Sequence, residues 1–93
     1  MRRAARVDGN HAELLNLARR LGGFVIDCKS LGQGKPDAFV FIRTHWQAVE
    51  IKTVRGRLTA AQHTLHAMAP VQIWRTREDV YRAFGMYTQR DAE

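Results

Sequence analysis

One cysteine, two prolines and nine acidic residues are all that a chain of 93 residues contains of these types. Cys28 alone cannot close an internal disulfide, and one thiol among four scattered histidines is no zinc framework, so a disulfide scaffold and a zinc module are both excluded. Cys28 is expected as a small buried apolar residue. No apolar run approaches the ~20 residues of a membrane span. The start, Met1-Arg2-Arg3-Ala4-Ala5-Arg6, leads into polar Asp8-Gly9-Asn10 rather than an apolar segment. A cytosolic protein without a membrane partner is expected. The length excludes two hydrophobic cores, since each half would be too small to offset its ordering entropy. A single domain over 1–93 is expected, with a frayed tail over 86–93.

What the chain has is positive charge. Fifteen Lys and Arg against nine Asp and Glu give a net charge of +6. On so small a body this favours a polyanionic partner, nucleic acid before a membrane surface. Arginine dominates the basic residues, and its planar fork grips phosphate oxygens in pairs.

The pattern of apolar residues predicts an α/β domain. Asn10 and Glu13 have the spacing of a capping box ahead of Leu14, Leu15, Leu17, Ala18 and Leu21, which recur at helical intervals up to Gly22-Gly23. A strand is expected over 24–28, then a glycine-rich connection over 29–36. Strands over 37–43 and 46–53 are expected to form a hairpin turning on Thr44-His45. Residues 59–68 read as a helix with Thr59 as N-cap, residues 71–74 as a fourth strand, and Thr76 as the cap of a last helix stopped by Gly85. The expected order is αβββαβα, a small mixed β-sheet flanked by helices.

Residues two apart on a strand share a face, so Glu50 and Lys52 project together, while Val49 and Ile51 point to the other side. With the hairpin turning on Thr44-His45, Asp37 lies opposite Lys52 on that same face; a turn one residue longer would move it away. Two neighbouring carboxylates repel unless a cation lies between them, and hard oxygen ligands suit Mg²⁺ or Mn²⁺. Such an ion acidifies water and neutralises charge on a phosphodiester, with Lys52 placed to orient the water. Taken alone, a Glu-x-Lys pair is a solvated ion pair far more often than a site. The ordered set changes the reading.

Pro36-Asp37, followed after twelve residues by Glu50-Ile51-Lys52 on consecutive strands behind an initial helix, resembles the PD-(D/E)XK nuclease superfamily with its restriction-endonuclease-like core. The lead Gly32-Gln33-Gly34-Lys35-Pro36-Asp37, the strand Val49-Glu50-Ile51-Lys52 and Leu58-Thr59-Ala60-Ala61-Gln62 are similar to its compact branch, the virus-type replication-repair nucleases (VRR-NUC). The resemblance implies a metal-dependent DNA endonuclease of the bacterial or phage-infected cytoplasm, active in repair and recombination. It implies Asp37, Glu50 and the Ile51 carbonyl as metal ligands, Lys52 as the catalytic lysine, and Gln62 and Glu13 as residues that complete the site. It further implies branched DNA as substrate and a homodimer acting as a Holliday-junction resolvase. A monomeric flap or nicking nuclease, or a basic DNA-binding module without catalysis, is the alternative.

Other residues carry weaker signals. Glu13 can serve as the capping-box acid of Asn10 or as a site acid. Lys35, Arg55 and Arg57 are expected to contact DNA, the two arginines directly following the Glu50-Ile51-Lys52 strand. His63 and His66 read as solvent-facing or DNA-facing. Gly32-x-Gly34-Lys35 lacks the spacing of a nucleotide-binding loop, so no nucleotide cofactor is expected. Trp46 and Trp74 read as core or interface residues, with Tyr81 a further interface candidate.

Overall fold

The computed structural model describes residues 9–31 and 34–86. Its elements are α1 His11–Arg20, β1 Phe24–Asp27, a 3₁₀ turn Lys29–Leu31, β2 Ala38–Ile42, β3 His45–Ile51, α2 Ala60–Met68, β4 Val71–Trp74 and α3 Arg77–Ala83. Gly32, Gln33 and most of the expected tail, from 87 on, lie outside the described residues. Four strands form one mixed sheet in the order β1-β2-β3-β4. The first three run antiparallel, and β4 lies parallel to β3. Parallel neighbours need a crossover, and α2 lies in it. Among the described residues no helix is long and apolar enough to cross a membrane.

Alternation along the strands gives the sheet two unlike faces. Val25, Val40, Ile42, Val49, Ile51 and Trp74 share one of them and form the core with Leu14, Leu15, Leu17 and Ala18 of α1 and with Val80 and Phe84 of α3 and its cap. The other face has three cross-strand rows. Phe24, Phe41 and Trp46 form the first, and Ile26, Phe39 and Ala48 the second. One register step beyond Ala38–Val49, Asp37 and Glu50 begin a third row, which Ile73 continues on β4.

Several sequence expectations need correction. The hairpin turns on Arg43-Thr44, not Thr44-His45, so the register slips by two and Asp37 lies opposite Glu50 rather than Lys52. Arg43 takes φ 60 at this turn, and its Nη2 donates to the Phe84 carbonyl at 2.9 Å, which ties the turn to the end of α3. A two-residue slip preserves parity, so Asp37 stays on the expected face. The capping box of α1 does not form. Asn10 instead donates through Nδ2 to the carbonyls of Lys52 and Arg75, each at 3.0 Å, because two carbonyls at the strand ends need a donor more than the exposed first turn does. Met68, the last residue of α2, is 75% exposed. Trp74 is core and Cys28 is buried.

Candidate active site

The third row begins where β2 starts. Pro36 is buried and has no N–H, and Asp37 follows it just before the ladder. The Asp37 carbonyl accepts the Cys28 N–H at 2.7 Å, and its Oδ2 accepts the Ile51 N–H at 2.7 Å. The side chain therefore takes a ladder position that backbone would otherwise fill, which fixes the carboxylate on β3.

Glu50 is 1% exposed, the only carboxylate buried to this degree among the described residues. A buried carboxylate costs several kcal/mol unless it is paired and hydrogen-bonded. Its Oε2 accepts from Gln62 Nε2 at 2.6 Å, and its Oε1 lies 3.9 Å from His66 Nε2. Gln62 is held from the other side as well. Its Oε1 accepts the Thr59 N–H at 2.8 Å while Thr59 Oγ1 accepts the Gln62 N–H at 3.2 Å, a reciprocal capping box at the start of α2. The amide oxygen is committed to the helix start, so the amide NH₂ is the group left to face Glu50. This explains glutamine rather than glutamate at the third position of α2. A carboxylate could cap equally well but would oppose Glu50.

Lys52 follows the last residue of β3. Its N–H donates to the Trp74 carbonyl at 3.0 Å and its own carbonyl accepts from Asn10, so its backbone is fixed on both sides. The aliphatic stem passes Gly56, where an added Cβ would lie 3.4 Å from Lys52 Cδ. Residues 53–56 are ordered by Arg75, whose Nη1 donates to the carbonyls of Thr53 at 2.6 Å, Gly56 at 2.7 Å and Val54 at 3.3 Å. That loop carries Arg55. Arg55, Arg57 and Lys35 are exposed and belong to segments at the sheet end that bears Asp37 and Glu50.

Gln62 is thus bonded to Glu50, Asp37 is bonded to the neighbouring Ile51 N–H, and Lys52 follows two residues after Glu50 with its stem against Gly56. Glu13 is placed elsewhere: its carboxylate is half-exposed and pairs with Arg77 at 3.8 Å. His63 is exposed as expected, but His66 turns inward toward Glu50, contrary to the expectation of a solvent-facing or DNA-facing side chain. The signal was present, because Gln62 and His66 are four residues apart on a helix and so share a face. Burial, followed by the neighbouring His63, holds the His66 imidazole below its ordinary value of 6.5.

Among the described residues no group of three His, Cys, Asp or Glu side chains converges as a complete metal cage. The oxygen set present suits Mg²⁺ or Mn²⁺ on other grounds. Asp37 lies one step before the ladder pair Ala38–Val49, and its Oδ2 accepts the N–H of Ile51, so its carboxylate sits against the backbone next to Glu50. Mg²⁺ is usually held by one or two carboxylates with waters and substrate phosphate. Searches against family models, curated proteins and solved structures returned no match.

Proposed function

We propose that this chain is a metal-dependent DNA endonuclease with the restriction-endonuclease-like core of the PD-(D/E)XK superfamily and the VRR-NUC order of elements, αβββαβα. The observation that carries the reading is the buried Glu50 carboxylate, opposite Asp37 and clasped by Gln62. A chain that only binds DNA has no chemical use for a buried carboxylate beside a second acidic residue.

In this reading Asp37, Glu50 and the Ile51 carbonyl would hold Mg²⁺ or Mn²⁺, which would supply charge neutralisation at the phosphodiester and a more acidic water. The rest of the chemistry falls to the chain. Lys52 holds the attacking water or stabilises charge on the phosphoryl oxygens, Gln62 keeps Glu50 in one orientation, and Lys35, Arg55 and Arg57 grip the flanking phosphates.

As a homodimer in the cytoplasm of a bacterial or phage-infected cell, such an enzyme resolves four-way junctions by paired cuts. A monomer cutting a flap or splayed arm is the second reading. It is favoured by the burial of Trp74 and the packing of Tyr81 on the core, which leave Trp46 alone exposed among the three rings expected at an interface.

Labelled duplex, flap, splayed-arm and four-way-junction DNA, incubated with Mg²⁺, Mn²⁺ or chelator, test the proposal. Cleavage is expected only with metal. Glu50→Gln and Lys52→Ala are expected to lower kcat at least about 100-fold with an unchanged circular dichroism spectrum. Asp37→Asn is expected to keep or tighten DNA binding, because a negative charge facing phosphate is removed. Wild-type rates in either of the first two variants would refute the assignment.

A further inference from the structure

On the face that bears Asp37 and Glu50, α2 covers the region of Glu50, and the β1–β2 half of the sheet is left open. Phe24 is 63%, Trp46 52%, Ile26 46% and Phe39 37% exposed. Three rings form one row across three strands. The Trp46 and Phe41 centroids lie 5.1 Å apart, and Trp46 meets Phe24 edge to face at 6.2 Å. A hollow of ≈ 360 Å³, on the order of a small ligand pocket, adjoins Trp46 beside His45, Ala48, Pro70 and Val71.

We propose that this open half-sheet is a stacking platform for single-stranded DNA, and that it delivers the strand to the Asp37–Glu50 row. Three observations choose this occupant. The first is ring type, since the outermost row is aromatic on each of the three strands it crosses, and bases stack on aromatic side chains. Paired bases in a duplex keep their faces hidden, so the platform selects unpaired ones.

The second is area. Taking about 200 Å² for a fully exposed side chain of this size, the four exposed residues offer roughly 400 Å², about half of the ~800 Å² each partner of a stable dimer contributes. A patch of this size accommodates a few stacked bases.

The third is placement and charge. From Trp46 to Glu50 is four residues along β3, about 13 Å at the usual rise, or roughly four stacked nucleotides. Beyond Glu50 lie Lys52 and the segments carrying Lys35, Arg55 and Arg57, so a strand with bases on the rings runs its backbone toward cations. The delivery half of this inference rests on the nuclease reading; the binding half does not.

The test is binding in chelator, where no cleavage occurs. Trp46 and Trp74 are the only tryptophans, one half-exposed and one 1% exposed, so quenching of the exposed emission by a short oligothymidylate reports stacking while the buried emission reports the fold. Oligothymidylate is expected to quench Trp46. Trp46→Ala and Phe24→Ala are expected to weaken oligothymidylate binding roughly 10- to 100-fold and blunt-duplex binding less than about twofold. Trp46→Phe restores most of the affinity without the quench.

Oligothymidylate affinity unchanged in both alanine variants would overturn the platform, even if Glu50-dependent cleavage persisted. So would a two-copy mass for the DNA-free chain by light scattering that falls to one copy in Trp46→Ala, since the rings would then serve a second copy. Ring-dependent binding by a chain that never cleaves would uphold the platform and remove the nuclease reading.

Discussion

Gln62 holds two positions at once, and a single substitution separates them. Gln62→Glu keeps an oxygen for the Thr59 N–H, so the cap survives, but it replaces the donor to Glu50 by a second carboxylate. Unchanged helicity with cleavage reduced at least about tenfold is expected; a variant that cuts at the wild-type rate would show that the Gln62–Glu50 bond has no part in the chemistry. Asp27 offers a second residue-level test. Burial alone would raise its carboxyl, but the Lys29 N–H, His11 and Arg19 together hold it below its ordinary 3.8. A depressed folded value means the unfolded chain binds more protons. Asp27 therefore contributes stability above 3.8 that is lost as pH falls through the folded value. His11→Ala is expected to raise the Asp27 pKa, read by NMR titration, and to flatten that acid limb of the stability curve. An unmoved titration would assign the shift to the Lys29 N–H and Arg19.

At the level of elements, the helices and strands were legible because their apolar periodicity is plain, and the faces of β2 and β3 followed from alternation. What the sequence did not disclose were choices made by competition among polar groups. Asn10 looks like the cap of α1, yet it is drawn to two strand-end carbonyls 42 and 65 residues away in sequence. The hairpin register turned on whether Arg43 would accept φ 60, a conformation that favours glycine and is stabilised here by a distant Phe84 carbonyl. The shared face of Asp37 and Glu50 was readable from alternation along the strands, whereas the inward turn of His66 depended on where α2 would sit. Close packing of elements also shows in Gly23, between α1 and β1. A Cβ there would lie 2.8 Å from Phe84 Cζ and 3.1 Å from both the Ala18 carbonyl oxygen and Val40 Cγ1. Gly23→Ala is expected to destabilise the fold by about 1–3 kcal/mol through overpacking. Denaturant unfolding checks it, and a stability within error of wild type would mean that Phe84 can swing aside.

The whole molecule carries its charge unevenly in function if not in count. Arg55 and Arg57 are exposed, and the loop bearing Arg55 is held by the Arg75 clamp, so the DNA contacts proposed there would depend on an ordered segment rather than a loose one. The Arg55→Ala, Arg57→Ala double variant is expected to weaken DNA binding and lower the log–log salt slope by about two units, near one per lost phosphate contact. An unchanged slope would place the DNA on another surface. The crossover topology has a further consequence, one of timing. The β1–β2–β3 meander closes through contacts near in sequence, whereas β4 can pair with β3 only after α2 has been laid across the sheet. Loop-closure entropy places the local pairings first and the parallel pairing later. Gln62 travels with α2, so Glu50 receives its clasp in the closing step of assembly. A nascent or partly unfolded chain would then present the meander with Glu50 unclasped, and the proposed capacity to cut would arrive only with the complete fold.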